Sequence, residues 1–273
     1  MTHQTRDKQL GFIGAGNMAS AIIRGLIDAG VVDGQQIVVA DPNQAATQLL
    51  ASQFNVVVAD SNEQVAQTAQ TVILAVKPQV IRMVASLIAD HLAGALVVSI
   101  AAGTSLADLE SILGAVALVR LMPNVALQVG QGITAVVGNG QASAEQVAQV
   151  RRLFDVLGET VELPESQFAA FAAVAGASPA WTFYYINALA MGGVATGLPK
   201  ALALTAATAA VRGSAALLAS GQTHPSQWID RVCSPGGTTI AGLAVLEERA
   251  VAGAVIQAVR ACVQRDQQIS DQA

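Results

Sequence analysis

The chain has 273 residues, enough for one large domain or two medium ones, each with its own core. Its formal charge of −5, with no stripe of lysine and arginine, argues against a surface built to hold a nucleic-acid backbone. Charged residues are only 12% of the composition and apolar ones 53%, where an average soluble domain carries roughly 25% charged residues, so part of the surface is expected to be covered in a subunit interface.

Leu10–Ile13 reads as a short apolar strand, followed by a glycine-rich turn and a helix from about Met18 to Ala29 that Gly30 closes. Ile37–Ala40 is the next strand, ended by the turn residues Asp41-Pro42-Asn43, with a helix from about Gln44 to Gln53 after it. Val56–Val58 is a third strand and Glu63–Ala69 a short helix; Val72–Val76 is a fourth strand, stopped by Lys77-Pro78. Helix Val80–Asp90 leads to strand Leu96–Ile100, and Ser105–Leu113 is helical, with Asp108 in capping-box spacing from Ser105. Val116–Leu121 and Ile133–Val137 are further strands, and Ala144–Leu157 a helix. Continuous Val/Ile/Leu strands alternating with helices predict a parallel, doubly wound α/β sheet covered on both faces.

After Pro164 the strands stop. Glu165–Ala173, Pro179–Thr196, Lys200–Ala219, Thr238–Glu248 and Val251–Gln268 all read as helices, punctuated by Gly197, Pro199, Gly221, Pro225 and Gly236. The predicted domains are therefore 1–164, an α/β domain, and 165–273, an all-helical one. No charge appears from Ser166 until Lys200, but Pro179, Asn187, Gly192, Gly193 and Pro199 interrupt the run and alanine dominates it. Helices buried in a dimer core are expected there rather than a membrane span. Two cysteines, Cys233 and Cys262, make no disulfide framework and no metal-ligand spacing. The segment Met1–Gln9 is polar, without the apolar stretch of a signal peptide. A reducing cytoplasm is the expected compartment.

The first turn carries Gly14-Ala15-Gly16-Asn17-Met18-Ala19, a G-x-G-x-x-A pattern that leaves a strand and opens a helix. Gly14 permits the tight turn, Gly16 lets the backbone approach a pyrophosphate, and Ala19 allows close helix–strand packing. Asp41, at the end of the second strand, completes the dinucleotide fingerprint of a Rossmann domain. A carboxylate there accepts bonds from the ribose of NADH and repels the 2′-phosphate of NADPH. Ligands of such folds lie beyond the carboxyl ends of the strands, where three unusual segments occur: Ala75-Val76-Lys77-Pro78, Ser99-Ile100-Ala101-Ala102-Gly103 and Arg120-Leu121-Met122-Pro123-Asn124. Lys77 could face ribose or phosphate, or simply cap its strand, and Pro123-Asn124 marks a turn.

The most specific segment is Cys233-Ser234-Pro235-Gly236-Gly237-Thr238-Thr239-Ile240-Ala241-Gly242-Leu243, followed by Leu246-Glu247. Paired glycines before a helix expose amides at its positive end, which suits a carboxylate, and Ser234, Thr238 and Thr239 add hydroxyls. This segment resembles the C-terminal signature of the pyrroline-5-carboxylate reductase family. Gly14-Ala15-Gly16-Asn17-Met18, Ala75-Val76-Lys77-Pro78-Gln79, Ser99-Ile100-Ala101-Ala102-Gly103, Met122-Pro123-Asn124 and His224-Pro225 are similar to that family in the same order. The resemblance implies reduction of 1-pyrroline-5-carboxylate to L-proline by NADPH or NADH. It also implies a Rossmann domain with cofactor contacts at Gly14–Met18, Ala75–Pro78, Ala101–Gly103 and Pro123, beside the Asp41 of the fingerprint, and a helical dimerisation domain whose twin interlocks with it, in a homodimer or a ring of dimers. The family's Ser-Gly-Ser-(Gly/Ser)-Pro-Ala-Tyr run reads here as Ala175-Gly176-Ala177-Ser178-Pro179-Ala180-Trp181, and Ala172 stands for an upstream threonine, so hydroxyls are lost.

On this reading Ser234 and the amides of Gly236 and Gly237 hold the substrate carboxylate, and Thr239 bonds the imine nitrogen. His3, His91 and His224 sit in a tail, a helix end and a turn, none of them the expected acid. No metal cluster and no nucleophile elbow occur. The rivals are a β-hydroxyacid dehydrogenase or imine reductase, the former disfavoured because Glu165–Lys200 has no interior Lys or Asp, and a non-catalytic NAD(P)-binding regulatory protein.

Overall fold

The computed structural model describes residues 6–272. They divide into two compact units: one runs to Gly176 and takes in the chain from Val263 onward, the other spans Ala177–Cys262.

In the first unit β1 (Lys8–Ile13), β2 (Ile37–Ala40), β3 (Val57–Val58), β4 (Ala69–Leu74), β5 (Leu96–Ser99), β6 (Ala117–Pro123), β7 (Gly132–Gly138) and β8 (Gly158–Glu162) form one 8-stranded sheet, ordered β3-β2-β1-β4-β5-β6-β7-β8. From β3 to β6 every neighbouring pair is parallel. This is the doubly wound order, whose direction reverses between β1 and β4 and leaves a crevice at their carboxyl ends. The helices are α1 (Asn17–Asp28), α2 (Gln44–Phe54), α3 (Asn62–Thr68), α4 (Pro78–Ile88), α5 (Leu106–Leu113) and α6 (Ala144–Asp155).

The period of two along β1 builds both core layers. Leu10 and Phe12 join α1 and α6 through Ile22, Ile23, Leu26 and Phe154. Ile13 joins α4 and α5 on the opposite face through Ile81, Ile88 and Leu109. Each fully buried Leu, Ile or Phe contributes roughly 1.5–3 kcal/mol.

Several expectations need correction. The sheet is not wholly parallel: β7 runs antiparallel to β6, and β8 parallel to β7. Between Pro123 and Gly132 the chain holds only a 3-10 turn, Val125–Val129, and a parallel return needs a crossover of a dozen or more residues. Strand β8 was not foreseen, because Gly158-Glu159-Thr160-Val161-Glu162 is half polar and none of it is fully buried. The fourth strand begins at Ala69, paired with Lys8, and ends at Leu74. Pro123 is the last residue of β6, paired with Thr134, rather than part of a turn. The helix expected over Glu165–Ala173 is a 3-10 turn (Glu165–Gln167), α7 (Phe168–Phe171) and a π-helical turn (Ala172–Ala177).

The second unit contains α8 (Ser178–Ala195), α9 (Lys200–Ala219), α10 (Pro225–Val232), α11 (Thr238–Glu248) and the first half of α12 (Val251–Gln272). Pro225, expected to punctuate the helices, instead opens α10, as proline at a first helical position does. Helices α8 and α9 approach through Ala190, Ala203 and Ala207. Phe183, Tyr184, Leu202 and Val245 are more than half exposed. By length and composition α9 could cross a membrane, with 11% of its apolar window buried.

Candidate cofactor and substrate sites

The turn between β1 and α1 contains two glycines with different reasons to be there. Gly14 has φ +106, and a Cβ added to it would lie 2.5 Å from the Ala75 carbonyl oxygen. Its amide donates to the Ala40 carbonyl at 2.8 Å. The protein's own backbone therefore demands a glycine there. Gly16 has φ −72 and ψ −178, which any residue adopts, and its Cβ would meet nothing within 4 Å. Open space beside an exposed backbone is what a ligand approaching that backbone requires.

Gly16 is the N-cap of α1 and makes no side-chain cap bond; no acidic residue stands in the first turn. The amides of Asn17 and Met18 are thus left for an external anion at the positive end of a 12-residue helix. The residues fit a pyrophosphate. Ala19 is fully buried and seats α1 against the sheet, with Met18 packed on the same core.

Asp41 reaches into this turn. Its Oδ2 accepts the Ala15 amide at 2.7 Å and its Oδ1 accepts the Asn43 amide at 2.8 Å. The other strand-end residues line the same edge of the sheet. Ala75 donates to Ile13 at 2.8 Å, Ile100 donates to Leu74 at 3.2 Å, and the Ala101 amide donates to Ser99 Oγ at 3.3 Å. Lys77 is exposed, caps α4 ahead of Pro78 at a first helical position, and has no ion pair among the described residues. Ala101 and Gly103 are buried around an exposed Ala102. Val76 is half-buried against the apolar layer behind α4.

Arg120 and Asn124 have partners at this edge that their spacing does not announce. Arg120, buried in β6, donates through Nη1 to Glu165 Oε1 at 2.6 Å, and the same oxygen accepts the Leu106 amide, the first residue of α5, at 2.7 Å. The guanidinium lies 5.0 Å from the Phe168 ring centre. A lone arginine inside the apolar run Leu118–Met122 was the available signal. Asn124 uses both ends of its amide: Oδ1 accepts from Ile133, and Nδ2 donates at 3.1 Å to the Ala175 carbonyl in the π-helical turn.

In the second unit residues 233–237 form a turn ahead of α11. Gly236 has φ +67, and the Gly237 amide closes the turn on the Ser234 carbonyl at 3.1 Å. That amide is engaged, which shifts the free donors to Gly236, Thr238 and Thr239, the last two being the first amides of an 11-residue helix with no side-chain cap. Thr182, Thr205 and Thr208 each return their hydroxyl to the carbonyl one helical turn back. Thr238 and Thr239 are exposed, and among the described residues their hydroxyls make no such bond. Ser234 is exposed as well, its Oγ close over Gly237, where a Cβ would come within 2.4 Å.

The histidines have structural partners. His91 meets Gln67 Nε2 through Nδ1 at 3.0 Å, and its carbonyl is one of several bound by the Arg6 guanidinium. His224 Nδ1 accepts the Ser226 amide and caps α10. His3 lies outside the described residues. Among the described residues no cluster of three or more His, Cys, Asp or Glu could hold a metal ion.

A doubly wound sheet with an anion cradle at its switch point, followed by a helical unit with its own donor-lined helix end, defines a nicotinamide-dinucleotide-dependent oxidoreductase. Residues 9–103 match the family described as NADP oxidoreductase coenzyme F420-dependent, and residues 165–269 match pyrroline-5-carboxylate reductase dimerisation. The chain is 40% identical over 261 residues to the pyrroline-5-carboxylate reductase of Synechocystis sp., covering 96% of this chain and 98% of the relative. It is 40% identical over 266 residues to that of Escherichia coli strain K12, covering 97% and 99%. Among solved structures, the pyrroline carboxylate reductase of Plasmodium falciparum with NADP bound superposes with TM-score 0.90 at 26% identity over 97% of this chain and 99% of that one. The Streptococcus pyogenes enzyme superposes with TM-score 0.88 at 36% identity over the same shares. The chain belongs to the pyrroline-5-carboxylate reductase family: it is an NAD(P)H-dependent oxidoreductase acting on the C=N bond of pyrroline-5-carboxylate, and its helical part is a dimerisation domain.

Proposed function

We propose that the chain makes L-proline through two sets of backbone donors, one for each reactant. The Gly14–Met18 turn holds the cofactor diphosphate, on the free amides of Asn17 and Met18. Ala75–Pro78, Ala101–Gly103 and Pro123 hold the remainder of the cofactor along the strand ends. The substrate carboxylate rests on the free amides of Gly236, Thr238 and Thr239 with the Ser234 hydroxyl, while Gly237 shapes the turn. The Thr239 hydroxyl bonds the imine nitrogen.

The bound cofactor supplies a hydride from nicotinamide C4. The protonated imine already accepts hydride well, so the chain's task is to orient and to bind charge; positioning alone can supply several kcal/mol. Hydride adds to the imine carbon, the C=N electron pair moves to nitrogen, and the nitrogen keeps its proton as the ring N–H of proline. The observation that carries this reading is the pair of uncapped helix ends, α1 and α11, each preceded by glycine and each free of acidic residues in its first turn.

The domains are assigned as 1–164 for the dinucleotide and 165–273 for dimerisation and substrate. A homodimer, with a ring of dimers as the larger assembly, covers the exposed Phe183, Tyr184 and Leu202, and the cytoplasm is the compartment. The test is NAD(P)H oxidation with pyrroline-5-carboxylate, with proline identified as product. Thr239→Ala lowers kcat/KM by roughly ten-fold or more, since one oriented donor is worth about 1–3 kcal/mol. An unchanged kcat/KM removes Thr239 from this role, and no proline formed removes the reaction.

A further inference from the structure

We infer that Asp41 makes this enzyme select NADH, by fixing a negative charge where the 2′-phosphate of NADPH would lie. The inference rests on the dinucleotide reading of the Gly14–Met18 turn and deepens it. Asp41 follows the last residue of β2, the position that meets the adenosine ribose in this fold. A flexible acidic side chain there could turn aside for a phosphate. This one is held at both oxygens, by the Ala15 amide at 2.7 Å and the Asn43 amide at 2.8 Å. Turning away would break both of these bonds, so the carboxylate is anchored where it stands. Each carboxylate oxygen keeps a further lone pair, enough for the 2′- and 3′-hydroxyls of NADH.

The lining of the adjoining hollow offers no cation to offset that charge. A hollow of about 500 Å³ opens beyond β2 and β3, and its lining includes Asp41, Asp60 and Glu63 but no lysine or arginine. Glu63 is held below the usual carboxylate range, first by its own backbone amide and then by the Ser61 hydroxyl, so it is ionised at neutral pH. A site that takes a 2′-phosphate places an arginine nearby; a phosphate monoester carries about −1.5 to −2 charge and here faces three carboxylates with no basic side chain in the lining.

The test is the ratio of kcat/KM for NADH to that for NADPH, with pyrroline-5-carboxylate, in wild type, Asp41→Asn and Asp60→Asn. Damage to the glycine turn in Asp41→Asn weakens both cofactors through their common diphosphate and cancels in the ratio, which reports the 2′ group alone. Wild type favours NADH by about ten-fold or more, the scale of like charges a few ångströms apart near a protein surface. Asp41→Asn moves the ratio toward NADPH by a similar factor. Asp60→Asn, which leaves the Ala15 bond in place, moves it the same way by a smaller one. A wild type that uses NADPH as well as NADH, or an Asp41→Asn ratio equal to wild type, overturns the inference. If no turnover occurs with either cofactor, the reductase reading fails, and fluorescence titration of NADH and NADPH binding decides the selectivity by the same ratio.

Discussion

Gly14 and Gly16 provide a paired test, because the structure gives them opposite reasons to be glycine. Alanine at Gly14 must adopt φ +106 and place its methyl 2.5 Å from the Ala75 oxygen. A side chain forced into such a backbone region costs about 1–3 kcal/mol, and the strand end at Ala75 must also shift. At roughly 2–4 °C per kcal/mol for a chain of this size, Gly14→Ala lowers Tm by about 5–10 °C. Alanine at Gly16 keeps an ordinary conformation with no contact within 4 Å. Losing glycine at an N-cap costs about half a kcal/mol, and restricting the unfolded chain returns about as much, so Tm stays nearly unchanged.

Cofactor affinity reverses the order of the two variants at equal folded concentration. The Gly16→Ala methyl fills the space that the diphosphate needs against the Asn17 and Met18 amides. Hydrogen bonds to a charged group contribute about 1.5–3 kcal/mol each, so displacing even one weakens binding by roughly ten- to a hundred-fold. Thermal unfolding by circular dichroism and titration of NADH fluorescence give the two numbers. A Gly16→Ala protein that binds NADH like wild type shows that the open space is not the diphosphate seat, and the cofactor assignment of the whole turn falls with it.

Three further outcomes follow from the ion pair and the caps. Glu165→Gln keeps an acceptor for the Leu106 amide but leaves the Arg120 side chain, 7% exposed, without its counter-charge; breaking a buried pair this way costs about 3 kcal/mol, read as a lower denaturation midpoint in urea. Asp108 is held below the usual carboxylate range, chiefly by the Ser105 hydroxyl. A lowered folded pKa contributes stability above the ordinary carboxyl range that is lost as pH falls through it, so Ser105→Ala, about 1 kcal/mol less stable at pH 7, shows a smaller deficit near about pH 3; equal deficits at both would contradict the coupling. Arg6→Ala leaves the carbonyls of Ala66, Ala69, His91 and Ala93 without the guanidinium that joins them, and hydrogen exchange at the α3 and His91 turns rises.

What the sequence disclosed about the fold followed from burial. Strands β2 and β5 are buried at every residue, so they had to be continuous apolar runs, and both were legible to within a residue. Strand β8 lies at the sheet's edge with one face wet, and its alternation of glutamate with small or branched residues resembles a loop in one dimension. The direction of β7 was legible in principle, since the segment after Pro123 is too short to carry a crossover helix, but an apolar strand looks alike in either direction. Helix α10 was hidden by reading Pro225 as an ending rather than a beginning.

The site was legible to the extent that its chemistry is carried by backbone. Glycine, proline and helix starts are visible as letters, so the Gly14–Met18 turn and the turn at 234–237 with the helix start behind it are legible without coordinates. Which amide is free within a turn depends on bonds that no spacing reveals: the Gly237 amide closes its own turn, and that leaves its neighbours as the donors. The same distinction separates Gly14, which the fold requires, from Gly16, which has open space beside it. It also gives Asp41 a second task, since a residue expected to touch only the ribose holds an amide of the phosphate turn as well. A substitution chosen to change cofactor preference there also removes a bond that shapes this turn. For that reason the ratio between the two cofactors, rather than the activity with either one, reports what the carboxylate selects.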